Sequence, residues 1–231
     1  MIKNTILASS LLFTSLCANN IDEDKFEMGE KIYNETCVSC HGKDGKAHTN
    51  MKLIIKPRDL TLTLLDEEQI YNITKDGAHK WGAKADIMPA FKYTYNEEQL
   101  RSVTHYVYHH FNPNLKQRIK ALLDESEPES TTKPKKMAKW GKKIFKRNCK
   151  FCHGLEGKGD GVATTSPVDS IFPYDLTRTL LTKDQIFLYV KYGGQHFGTD
   201  KDDMPSWKKK YNDFRLHSIT RYIDEIIRTK K

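Results

Sequence analysis

The pattern Cys-x-x-Cys-His occurs twice in this chain, at Cys37–His41 and at Cys149–His153, and each copy lies inside a longer repeat. At an offset of 112, Gly29, Ile32 and Tyr33 match Gly141, Ile144 and Phe145, and Gly42 and Gly45 match Gly154 and Gly157. From Pro57 the offset is 116, so the second copy holds four extra residues in the intervening loop. Pro57-Arg58-Asp59-Leu60-Thr61 then matches Pro173-Tyr174-Asp175-Leu176-Thr177, and Met88-Pro89 matches Met204-Pro205. A period above 100 residues indicates duplicated domains rather than a solenoid of short units.

The repeated motif carries a definite chemistry. Two thiols three residues apart on one turn of backbone can reach the two vinyl groups of a single haem and form thioethers. The histidine that follows then lies under the iron as an axial ligand. One C-x-x-C alone could be a zinc site or a redox disulfide. Two C-x-x-C-H copies, each in a longer repeat, point to two haem c groups, attached at Cys37 and Cys40 and at Cys149 and Cys152, with His41 and His153 on the metal.

Met88 lies 51 residues after Cys37, and Met204 lies 55 after Cys149, each followed by proline. A lone methionine is ordinary core filler. Two at matching repeat positions are candidates for the second axial ligand. A thioether raises the iron potential relative to two imidazoles. His79, His105, His109, His110, His196 and His217 have no histidine counterpart in the other copy and read as surface or boundary residues.

The local pattern is helical throughout, giving an all-α chain. A first helix runs from about Lys25 to Glu35 and from about Met137 to Arg147, straight into each motif. A middle helix begins near Asp66 or Thr182, capped with Gln69 or Gln185 three residues on, and stops at Gly77 or Gly193. A last helix follows Asn96 or Asn212, with Leu100, Val103, Tyr106 and Val107, or Leu216, Ile219, Tyr222 and Ile223, at helical spacing. Residues 19–123 and 137–231 are thus two domains. Residues 124–136, rich in Glu, Ser, Thr, Pro and Lys, read as an exposed polar linker.

Composition sets further limits. With 38% hydrophobic residues and a mean hydropathy of −0.68, side chains alone fill two cores poorly, and an apolar haem plate in each would help. Residues 1–18 read as a cleavable secretory signal, with Lys3 before a short apolar stretch ending near Ala18. That stretch is too short to span a bilayer, so the mature protein is expected to be soluble and periplasmic. Cys17 is preceded by bulky Leu16, which argues against a lipid anchor. Charge is uneven. Residues 19–123 hold 15 basic and 15 acidic residues, whereas residues 135–231 hold 21 and 11. Lys139, Lys142, Lys143, Lys146, Arg147 and Lys150 crowd the helix entering the second motif, and Lys208, Lys209 and Lys210 follow Met204. Such a surface suits an acidic redox partner docking near the second haem. Nucleic acid fits poorly with export.

On these motifs both halves resemble class I cytochrome c domains, most closely those of cbb3-subunit-III-like and cytochrome c4-like proteins. The resemblance covers about 25–112 and 137–228. It implies that Pro57 and Pro173 present backbone carbonyls to His41 and His153, and that Gly29 and Gly141 let the first helix cross the last near Tyr106 and Tyr222. It further implies a non-enzymatic electron carrier with two His/Met haems. The alternatives are a cytochrome subunit of a membrane dehydrogenase or oxidase complex and, more remotely, a di-haem peroxidase-type enzyme. The second copy keeps a fuller glycine loop, Gly157-Lys158-Gly159-Asp160-Gly161, where the first has Gly45-Lys46-Ala47-His48.

Overall fold

The structure is a computed structural model that describes residues 21–49, 56–83, 88–131, 134–165, 172–199 and 204–228. The expected signal segment and Cys17 lie outside the described residues. Among the described residues there are helices and turns but no strand, and no helix is long and apolar enough to cross a membrane.

Each half begins with a helix that becomes the attachment segment. α1 (Glu23–Ile32) starts at Asp22, whose carboxylate accepts the Lys25 N–H at 3.2 Å. Glu23 and Asp24 complement the positive end of the helix. The chain continues through a π turn, Tyr33–Cys37, into the short α2 (Val38–His41). The second half repeats this as α6 (Pro134–Ile144), a π turn at Phe145–Cys149, and α7 (Lys150–His153). The widened turn falls at the first cysteine in both copies, the kind of place where π bulges re-aim functional side chains.

α3 (Glu67–Asp76) and α8 (Lys183–Tyr192) open with full capping boxes, from Asp66 with Gln69 and from Thr182 with Gln185. α4 (Glu97–Phe111) and α9 (Asp213–Tyr222) follow Asn96 and Asn212. The main packing pairs are α1 with α4 and α6 with α9. They are close because of two glycines. A Cβ on Gly29 would lie 2.0 Å from the Ser102 carbonyl oxygen, and one on Gly141 would lie 1.9 Å from that of Ser218. Tyr106 and Tyr222 flank these crossings, as expected from the resemblance. The first core gathers Ile32, Tyr33, Ile70, Val103, Tyr106, Val107 and Phe111.

The second core reaches outside its own half. It holds Phe145, Phe187, Leu188, Phe197, Leu216 and Ile219, together with Leu64 and Leu115 from the first half. Leu115 belongs to α5 (Leu115–Asp124), a helix that the sequence pattern did not predict, and α5 packs on α8. The polar segment beyond it is fastened to the second half rather than hanging free. The Glu127 N–H donates to Asp213 at 2.8 Å, His217 Nε2 donates to the Glu127 carbonyl at 2.9 Å, and Lys191 Nζ donates to Ser126 Oγ at 2.7 Å. Glu129 pairs with both Lys183 and Arg221.

The halves meet about a local two-fold relationship. The Asp59 N–H donates to the Gly198 carbonyl at 2.9 Å, and the Asp175 N–H to the Gly82 carbonyl at 2.8 Å. Gln69 and Gln185 exchange side-chain hydrogen bonds, each Nε2 donating to the other's Oε1 at 2.8 Å.

Candidate functional site

In both halves the two cysteines and the histidine lie on one continuous helical run. None of the four sulfurs is paired in a disulfide, and all four residues are half-buried. Burial, and to a lesser degree the neighbouring thiol, pushes Cys37 up to about 11 and Cys149 up to about 12. A redox-active C-x-x-C needs the opposite, a thiol pulled down towards neutrality. Nor do the sulfurs and the imidazole converge tightly enough to hold one small ion: among the described residues, neither Cys–Cys–His trio forms such a group. Thiols and ring are instead spread along a turn, which is what two attachment points and an axial ligand on one large planar group require. The residues therefore fit haem c better than zinc or a disulfide.

The two histidines sit in similar surroundings. Burial keeps the imidazoles of His41 and His153 below their ordinary pKa, favouring the neutral ring that coordinates metal. His153 Nδ1 lies 3.2 Å from the Tyr174 carbonyl. That corrects the expectation for Pro173 by one residue. Pro173 is buried and fixes the backbone, but the carbonyl that meets the ring belongs to its successor. The first copy departs in the same way. Arg58, not Pro57, places its carbonyl towards His41. Such a bond fixes ring orientation and raises ligand basicity.

The repeated aspartates of the same loops act locally. Asp59 Oδ1 accepts from Thr61 N–H at 2.8 Å, and Asp175 Oδ1 from Thr177 N–H at 2.9 Å, closing an Asx turn. The next residue docks the loop on the glycine loop: Leu60 N–H donates to Gly45 at 2.8 Å and Leu176 N–H to Gly157 at 2.7 Å.

Met88 and Met204 are set by backbone bonds. α3 and α8 end at Gly77 and Gly193, with φ of 80° and 85°. A Cβ on Gly193 would lie 2.8 Å from the Met204 carbonyl oxygen. That carbonyl accepts from Gly194 N–H at 2.8 Å, and the Met88 carbonyl accepts from Ala78 N–H at 3.0 Å. Beyond each Met-Pro, the chain satisfies the last carbonyls of the helix. Phe91 N–H donates to Thr74 at 3.1 Å and Trp207 N–H to Val190 at 3.2 Å. Both methionines are half-buried, and Met204 packs on the second core.

The structure ties each methionine segment to its attachment segment through a tyrosine. Tyr95 OH bonds Thr36 Oγ1, and Asn148 Nδ2 donates to Tyr211 OH at 2.8 Å. Thr36 and Asn148 are the residues just before Cys37 and Cys149. The two tyrosines stand at matching repeat positions, but only the fold gives them this role. One expectation fails: His105 is neither a surface nor a boundary residue but is 8% exposed and bonded to Glu67.

A family model described as cytochrome c oxidase, cbb3-type, subunit III matches residues 24–107 and again residues 136–223. The chain belongs to this family. The two matches coincide with the two helical halves, so each is a cbb3-subunit-III-type cytochrome c domain, of the class that carries haem c and takes part in electron transfer. Among solved structures, a chain of the Kuenenia stuttgartiensis reducing HAO-like protein complex is similar at 24% identity, over 87% of this chain and 96% of that one, with a TM-score of 0.45.

Proposed function

We propose that this chain is a di-haem electron carrier of the periplasm, taking electrons from one redox partner and passing them to another without catalysing a reaction of its own. An iron held by one imidazole and one thioether would supply one-electron exchange at a raised potential. The observation that carries the reading is that each half has a complete set of its own: Cys37, Cys40, His41 and Met88, and Cys149, Cys152, His153 and Met204. Each methionine segment is pinned by backbone bonds and by its tyrosine. A peroxidase-type enzyme needs a releasable sixth position with an acid or base beside it. A matched, pinned methionine in both halves supports transfer instead.

The second half supports the docking end. Lys139, Lys142, Lys143, Lys146, Arg147 and Lys150 are all exposed. Beside them Phe151 is 59% exposed and Leu155 57%. The first half has Ser39 and Lys43 at these two places. An exposed apolar centre with a cationic surround is the anatomy of a transient interface, and its charge selects an acidic partner. The expected export signal supports the periplasmic reading.

The deciding experiment is a redox titration of the purified mature protein, followed optically and by EPR. The reading requires two haems per chain, both low-spin at rest, with positive potentials. A high-spin resting haem that turns over peroxide would sink it.

A further inference from the structure

Away from both attachment segments, three metal-ligating side chains converge in the first half. His105 and His109 stand one turn apart on α4, and Glu67 is the first residue of α3. His105 Nδ1 lies 3.0 Å from one Glu67 oxygen, and His109 Nε2 lies 3.8 Å from the other. One ligand atom from each of the three fits within 4.8 Å of the rest. The group is partly shielded, with side chains 10% exposed for His105, 16% for His109 and 42% for Glu67. The backbone beneath it is fixed. Glu67 follows the Asp66 capping box, and α4 is packed on α3.

We propose that Glu67, His105 and His109 form a binding site for one divalent ion of the zinc and copper class, separate from the haem sites. The donor set selects the ion. Two imidazoles and one carboxylate suit zinc or copper, with water completing the shell. Magnesium and calcium want oxygen ligands and are disfavoured. Burial, with His105 adding to it, keeps His109 below its ordinary pKa, so its ring is neutral and able to coordinate.

The second half supplies a contrast. At the positions equivalent to Glu67, His105 and His109 it has Lys183, Arg221 and Glu225. There the two cations hold the Glu129 carboxylate. The same corner of the fold thus encloses an internal anion in the second half and presents donors for a cation in the first. One ion per chain follows.

Binding has a specific structural consequence. His105 Nε2 now accepts the Asp22 N–H at 3.3 Å, so Nδ1 carries the imidazole proton and donates it to Glu67. An ion can bind Nδ1 only once that atom has given up its proton; the proton returns to the ring at Nε2, and the ring then has nothing left with which to accept from Asp22. The Asp22 amide is therefore released.

The test uses the mature, haem-loaded protein, freed of metal by a chelator and titrated calorimetrically with Zn²⁺. One ion per chain is expected, with the haem spectrum unchanged and with faster exchange of the Asp22 amide proton. His109→Ala should weaken binding on the order of tenfold to a hundredfold, at least the loss that follows from removing a residue that merely supports a ligand. Glu67→Gln, at the most exposed of the three positions, decides the matter should His109→Ala fold poorly, and the same loss is expected. His110→Ala, a neighbour turned away onto Tyr106, should bind as the parent does. No binding, binding unchanged in both ligand variants, or binding lost with His110→Ala would overturn the proposal.

Discussion

Gln69 and Gln185 lie 116 residues apart in sequence and form a closed pair of hydrogen bonds across the domain interface, each amide donating to the other at 2.8 Å. Each side chain has a second set of duties. Gln69 Oε1 accepts the Asp66 N–H at 2.9 Å, and Gln185 Oε1 accepts the Thr182 N–H at 2.7 Å, so both are members of capping boxes. Each Nε2 also donates to a carbonyl of the other half, Leu180 at 2.7 Å and Leu64 at 2.6 Å. Both amides are thereby saturated, with two bonds accepted and two donated, in a buried setting where an unmade bond is costly.

Replacing one glutamine should hurt more than half as much as replacing both. Gln69→Leu leaves the Gln185 amide and the Leu180 carbonyl short of partners inside the interface, at a cost of about 1–3 kcal/mol. The double variant, Gln69→Leu with Gln185→Leu, removes both ends together and should cost less than the sum of the singles. Calorimetry checks this. It should also show a single unfolding transition in the parent splitting towards two in the variants, because the halves are coupled through this pair.

Two glycines of the same interface make a steric version of the same prediction. Gly82 has φ of 103°, and a Cβ there would lie 2.5 Å from the Asp175 carbonyl oxygen; Gly198 has φ of 83° and would meet Asp59 at the same distance. Alanine at either position is strained by the backbone and blocked by the other half. Gly82→Ala and Gly198→Ala should each lose more than about 1 kcal/mol and loosen the contact between the halves, seen as a larger radius in small-angle scattering.

What was legible in the sequence was local or repeated. The caps at Asp66, Thr182, Asn96 and Asn212 and the stops at Gly77 and Gly193 are written in neighbouring residues, and the structure uses them so. Gln69 and Gln185 were visible as capping residues, but their mutual bond was not, because a cap signal spans three residues and this contact spans 116. α5 was missed for a related reason. Its apolar positions, including Leu115, Ile119 and Leu122, pack on the second core and not on their own. Glu129 read as part of a solvated linker because its partners, Lys183 and Arg221, lie more than fifty residues away. The one-residue error at Pro57 and Pro173 is different in kind: proline fixes the path of the loop, but which carbonyl then faces the ring depends on the turn that follows.

The linker strap should respond to acid. Burial works to raise the Glu129 pKa, but hydrogen bonds from Lys183 and Arg221 more than offset it, and the carboxyl is held below its ordinary value. A carboxylate with a depressed folded-state pKa contributes stability that is fully present above about pH 4.3, the usual glutamate value, and that is lost as pH falls through the lower folded value. Unfolding by urea between pH 7 and pH 3 should show this loss, and Glu129→Gln should reduce it. At pH 7 the same variant should cost about 1.5–3 kcal/mol, the range for bonds to charged groups.

The methionines can be tested one half at a time. If Met88 and Met204 ligate iron, the ferric protein carries the weak methionine–iron charge-transfer band. Met88→His should lower the potential of the first site alone, Met204→His that of the second alone, and the double variant should lose the band completely. The backbone bonds that set these segments run through the Met88 and Met204 carbonyls, not their side chains, so the substitutions should leave each loop in place and the change should be confined to the metal.

Docking should depend on one end of the molecule. The exposed lysines entering the second attachment segment lie beside exposed Phe151 and Leu155, whereas the first segment offers polar Ser39 and Lys43. Reversing charge with Lys142→Glu and Lys146→Glu, each on the outer side of this segment, removes favourable steering and adds repulsion. Electron transfer to a small acidic redox protein should slow on the order of tenfold at low salt. The difference should shrink as ionic strength rises and screening shortens the reach of the field to about 8 Å at physiological salt. Lys43→Glu and Lys46→Glu in the first half are the control, since that half carries no net formal charge over residues 19–123. Equal slowing by both pairs would mean that the partner reads overall charge rather than a face. Phe151→Ser then separates steering from contact, because it should weaken the complex by hastening dissociation while leaving the salt dependence of association unchanged.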